Sequence, residues 1–118
     1  MYGLPKNFDS GCFADRTLEM VCINAIQIYL HFDCDTVITI EGQYSIRKRN
    51  AMFDKITNVP NVSLELFSII EHKIIVATIE DGKTIKLTFE NGYQLSVFDN
   101  STQYEQYQIR IGKQTIIV

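Results

Sequence analysis

His31 and His72 are the side chains of this 118-residue sequence best suited to moving a proton near neutral pH. Either could act as the base for a Ser, Thr or Cys nucleophile, with a carboxylate behind it, because the parts of such a triad need only meet in space. No Gly-x-Ser-x-Gly elbow or similar local signature accompanies them. An exposed or structural role accounts equally for both. A metal centre would draw on Cys12, Cys22, Cys34 and His31. His31 and Cys34 flank one turn, yet a closed zinc site needs four ligands, and neither a Cys-x-x-Cys pair nor a His-Glu-x-x-His helix is present. The reading is therefore no metal and no cofactor. Cys22 is expected as a small core side chain and Cys34 as a turn residue.

The charged groups fall into two patterns. Arg47-Lys48-Arg49 is the single basic cluster. It could meet a phosphate or an acidic partner, but an isolated cluster better suits a solvated edge strand whose charges block edge-to-edge pairing. Carboxylates gather at expected turns: Asp33, Asp35, Glu80, Asp81, Glu90 and Asp99. Local hydrogen bonding explains acidic and amide residues there. Should several of these tips share a rim, they would form an acidic surface able to enter a cationic groove. Tyr93, and Tyr104 and Tyr107 in Tyr104-Glu105-Gln106-Tyr107, add aromatic groups suited either to a binding surface or to a sheet.

Composition narrows the field. The length fits one domain, and 46% hydrophobic with 21% charged residues is the balance of an ordinary globule. The formal net charge is −3, spread evenly: six basic and seven acidic groups in residues 1–60, five and seven in residues 61–118. Nucleic-acid binding needs concentrated positive charge, which this chain lacks. No apolar run approaches a membrane span. The segment Met1–Phe8 lacks the apolar stretch of a secretory leader. Three cysteines without close pairing point to reduced thiols and a cytoplasmic setting.

The elements that must position these residues are mostly strands. Residues 25–32 alternate, with Ile26, Ile28, Leu30 and Phe32 on one face and Gln27, Tyr29 and His31 on the other. Further strands are expected over 19–24, 36–41, 44–49, 73–80, 84–90, 93–98, 103–111 and 114–118. Asp81-Gly82 and Asn91-Gly92 are hairpin signals in which both central positions call for positive φ. Between the strands, Met52, Phe53 and Ile56 are spaced for one helical face. Ser63 could cap a short helix over 64–70, with Leu66, Phe67 and Ile70 inward. The chain also repeats itself: Ile28, Leu30, Phe32, Ile38 and Ile40 fall on Ile85, Leu87, Phe89, Leu95 and Val97. The expected fold is α+β, predominantly antiparallel β. Two similar β-meander repeats form a sandwich or partly open barrel, with one or two short helices between them. Residues 1–118 make a single domain, with repeat one about 18–49, a helical connection about 50–71 and repeat two about 73–118.

Leu87-Thr88-Phe89-Glu90-Asn91-Gly92-Tyr93-Gln94-Leu95-Ser96-Val97, followed by Tyr104-Glu105-Gln106-Tyr107, resembles an uncharacterised family of small bacterial two-repeat β-meander domains. Each of their repeats has a strand–Phe–acidic–Gly turn and closes on a Tyr-Glu-x-aromatic segment. The resemblance spans most of residues 18–112. It departs in the first repeat, where Asp33-Cys34-Asp35 stands in place of the Gly turn. It brings no catalytic residues. In size and build the chain is also similar to bacterial immunity proteins, which neutralise secreted toxins. The expectation is thus a non-enzymatic binding protein with a cognate toxin, a nuclease, as partner. Asp33, Asp35, Glu90, Asp99, Tyr104, Glu105 and Tyr107 are the expected contacts. The alternative is a small-ligand-binding β-barrel, or an enzyme using His31 or His72.

Overall fold

A computed structural model describes residues 4–48, 56–59, 61–99 and 106–118. Ten strands pair antiparallel in two five-stranded sheets: β1 (Leu18–Ile23), β2 (Ile28–Phe32), β3 (Thr36–Ile40), β4 (Gln43–Lys48), β5 (Ile56–Asn58), β6 (Ile74–Glu80), β7 (Thr84–Phe89), β8 (Tyr93–Phe98), β9 (Tyr107–Ile111) and β10 (Gln114–Ile117). One sheet has the order β1-β2-β3-β9-β10, the other β5-β4-β8-β7-β6. The two sheets do not close into a barrel, as expected of a sandwich or partly open barrel.

Two halves follow one plan. A 3-10 helix (Ser10–Phe13, then Leu64–Ile69) leads into a three-stranded meander, β1–β3 or β6–β8. The hairpin that follows crosses to the other sheet: β4 pairs with β8, and β9 with β3. The repeat visible in the sequence is therefore a pseudo-twofold in which each half lends its last hairpin to the other. The register fixes the equivalences. Ile40 lies opposite Tyr107, and Val97 opposite Tyr44. Both first strands carry a bulge at their start, between Leu18 and Met20 and between Ile74 and Val76.

The shared residues are the core. Ile28, Leu30, Ile38, Ile40, Ile85, Leu87, Phe89, Leu95 and Val97 have no exposed surface, and Phe32 almost none. Alternation puts one row of each strand inward. Each buried aliphatic or aromatic side chain contributes about 1.5–3 kcal/mol of transfer free energy. Gly42 lies where the chain passes from β3 to β4. Its amide and that of Glu41 donate to the Gln106 carbonyl at 3.0 and 2.8 Å, and a β-carbon there would run into the Gln106 side chain.

Several expectations are corrected. Ile26 is 68% exposed, because Asn24 Oδ1 accepts the amides of Ile26 and Gln27 and turns the chain before β2 begins. The central helix is 3-10, and Leu66 and Ile69 face inward while Phe67 does not. Three residues per turn eclipse i with i+3, which selects 66 with 69. Ser63 occupies its cap position without a side-chain cap bond. Ile56 opens a strand, although most of the helix expected around Met52 and Phe53 lies outside the described residues. At the hairpins, Asp81 and Gly82 both take positive φ, of 53° and 70°. In the Glu90-Asn91-Gly92 loop only Gly92 does, at 91°.

Candidate functional site: the acidic end at the pseudo-dyad

Phe13 and Ile69 end the two 3-10 helices as buried plugs. Two residues later Asp15 and Glu71 reverse the chain with φ of 64° and 71°, a costly conformation for residues with a β-carbon. Crossed hydrogen bonds hold both. The Asp15 amide donates to the Ile74 carbonyl at 3.0 Å, and the Glu71 amide to the Leu18 carbonyl at 2.6 Å. The Leu18 amide donates to His72 at 3.1 Å, the Ile74 amide to Arg16 at 2.9 Å, and Thr17 and Lys73 form a single antiparallel bridge. The pseudo-dyad passes through this crossing.

Each half then folds a carboxylate back onto it. The Thr17 amide donates to Asp33 Oδ1 at 3.1 Å, and the Lys73 amide to Glu90 Oε2 at 2.6 Å. The reciprocal amides of Asp33 and Glu90 donate to the carbonyls of Thr17 and Lys73 at 3.0 and 2.8 Å. Arg16 Nη1 lies 3.8 Å from Asp33, and His72 Nδ1 3.8 Å from Glu90. Bonds from backbone amides to ionised oxygens are short and directional, so both carboxylates are fixed in place. With Glu19, which follows Leu18 on β1, this end presents five carboxylates (Asp15, Glu19, Asp33, Glu71 and Glu90). Arg16 and Lys73 lie among them, and this end is flanked by Lys48, paired opposite Tyr93, and Lys113, next to the Gly112 that bonds Asp35.

The expected contact residues divide. Asp33 and Glu90 come together here. Asp35 sits exposed in the β2–β3 turn, at φ 56°, and its carbonyl accepts the Gly112 amide at 2.9 Å from the β9–β10 turn. Asp99 follows the other end of β8 from Glu90, about 20 Å along a six-residue strand. Its Oδ1 is buried without a hydrogen-bond partner. Tyr107 is wholly buried, so its ring belongs to the core and not to a contact surface. Its hydroxyl donates to the Lys83 carbonyl at 2.8 Å. Burial first, and the Asp99 charge second, push that hydroxyl well above the usual tyrosine range. Tyr104 and Glu105 lie outside the described residues.

The two histidines do not meet. His31 stacks against Tyr29 on the outer face of its sheet, ring centroids 6.2 Å apart, whereas His72 faces Glu90. Two clefts, of 340 and 280 Å³, lie beneath residues 4–9, and neither is lined by His31 or His72. Among the described residues no three His, Cys, Asp or Glu side chains gather to hold a metal, and all three cysteines are free thiols. No described helix is long and apolar enough to cross a membrane.

Sequence reasoning named Asp33 and Glu90 as contacts but left them at separate turns, weighed His72 only as a catalytic base, and missed Arg16, Glu71 and Lys73. The readable signal was the pair Phe32-Asp33 and Phe89-Glu90 at matching places in the repeat. An acid directly after the last core aromatic of β2 or β7 stands beside the start of β1 or β6. Compared with protein-family models, curated proteins and solved structures, the chain finds no match.

Proposed function

We propose that this chain is a non-enzymatic binding protein of the bacterial cytoplasm, an immunity protein that occupies the active site of a cognate nuclease toxin. One observation supports the reading above the others: Asp33 and Glu90, from different hairpins, converge on one rigid acidic end. A nuclease must line its active site with cations to hold phosphates. Carboxylates already fixed in position compete for those cations with little ordering cost. Opposite charge also speeds encounter, which suits a protein that must capture a toxin before it acts. Asp33 and Glu90 are the central contacts, and Asp35, exposed in the turn after Asp33, is a peripheral one.

The test is binding of the purified protein to the product of the neighbouring gene. Tight association is expected. In D33K/E90K the association rate should fall about tenfold or more at low salt, and the difference should shrink as salt rises. Absence of binding by the native protein overturns the proposal.

A further inference from the structure

The central 3-10 helix carries two apolar stripes where one would suffice to hold it down. Leu66 and Ile69 are fully buried. Leu64 and Phe67, eclipsed in the same three-residue period, are 76% and 53% exposed. Its mate in the other half displays nothing comparable. The N-terminal 3-10 helix is Ser10-Gly11-Cys12-Phe13, and Phe8 ahead of it is tucked against Phe13, with ring centroids 6.0 Å apart. Counting back from the matched plugs Phe13 and Ile69, Phe8 stands where the second half has Leu64. One half folds its apolar group in, and the other shows it.

The exposed stripe leads into the acidic end. The central helix touches β1 as well as β4, and the Glu71 amide donates to the Leu18 carbonyl. Glu19 and Met20 come next on β1, both exposed, Met20 by 50%. No Lys or Arg occurs from Thr17 to Ile46 or from Val62 to Glu71.

We infer that Leu64, Phe67 and Met20, flanked by Glu19 and Glu71, form a docking strip for a partner protein whose contact segment sets an apolar side chain beside Lys or Arg. Charge complementarity selects that occupant. Exposed Glu19, Glu65 and Glu71 border the strip, and no Lys or Arg lies in either segment that carries it, so nucleic acid and anionic lipid are both disfavoured there. A cationic protein segment is attracted, and the stripe gives it an aromatic and aliphatic anchor of the kind that dominates interface energy. The strip rests on the immunity reading and extends it: the fixed carboxylates govern capture, and the strip governs retention.

The experiment compares native protein, D33K/E90K, L64S/F67S and E19K/E71K for association and dissociation rates with the neighbouring gene product. L64S/F67S should dissociate at least about tenfold faster with its association rate little changed, as expected for loss of an apolar anchor. E19K/E71K should associate more slowly. Both changes lie on exposed side chains, so unfolding temperatures should match the native one, and E19K/E71K keeps the test valid if the serine variant fails to fold. Native-like dissociation by L64S/F67S, beside weakened binding by D33K/E90K, overturns the strip and leaves the immunity reading standing. No binding by the native protein overturns both.

Discussion

At equivalent points of the two halves, Asp33 is clasped by an arginine and Glu90 by a histidine. Tyr44 and Tyr107 make a second such pair. Both are fully buried in the first strand of an exchanged hairpin. The Tyr44 hydroxyl accepts the Ser63 amide at 2.8 Å and donates to the Asn61 carbonyl at 3.2 Å, while the Tyr107 hydroxyl donates to the Lys83 carbonyl at 2.8 Å. Leu30 and Leu87, by contrast, are the same residue in the same environment. The difference teaches where the repeat is constrained. Packing demands a large apolar side chain at the inward positions, so both copies keep that character even where Ile38 answers to Leu95 and Ile40 to Val97. A polar group at the rim needs only some partner, and the halves have found different ones.

The comparison breaks most sharply if the cores are unequal. Leu30→Ala and Leu87→Ala should each cost about 2–5 kcal/mol, and within about 1 kcal/mol of each other, in urea unfolding. Unfolding should stay a single transition, because each half completes the other's sheet. Two transitions would mean that the halves are separable. The tyrosines come next. Tyr44→Phe should cost about 2 kcal/mol, since it strands the Ser63 amide, and Tyr107→Phe about 1 kcal/mol, since the Lys83 carbonyl has a second lone pair for other donors.

The same tyrosines set an alkaline limit. Burial raises both hydroxyls above their ordinary value, Tyr107 further with Asp99 beside it. A group whose pKa is higher in the folded state stabilises fully below its unfolded value and loses that contribution as pH rises past it. Stability should therefore fall above about pH 10, and less steeply in Tyr107→Phe, as followed by tyrosinate absorbance during unfolding. Smallest are the clasps. A double-mutant cycle over Arg16 and Asp33 should give a few tenths to about 1 kcal/mol, screened by salt because both side chains are about a third exposed. The cycle over His72 and Glu90 should give less, since an imidazole is charged only when protonated. Equal values would remove the distinction between the halves.

Much of this was legible along the chain. Alternation marked β2, β3, β7 and β8, and the matching of Ile28, Leu30 and Phe32 with Ile85, Leu87 and Phe89 announced two similar meanders. Those signals survive because strand periodicity is local. Ile26 and Phe67 misled because their apolar character was read without the Asn24 turn or the 3-10 period that aims them outward. Tyr107 misled for the opposite reason, since its core place depends on pairing with Ile40, far away in sequence.

By itself the sequence determined the repeat, the strand-forming segments and the inward rows, because which residues can be buried together is written in side-chain type and spacing. The tertiary structure decided that the halves exchange hairpins, and that Thr17 meets Lys73 at a crossing. It also decided that Asp33 and Glu90, 57 positions apart, face solvent from one end. No local pattern encodes that meeting. It follows from two sheets closing over one core, which carries the rims of both halves to the same place.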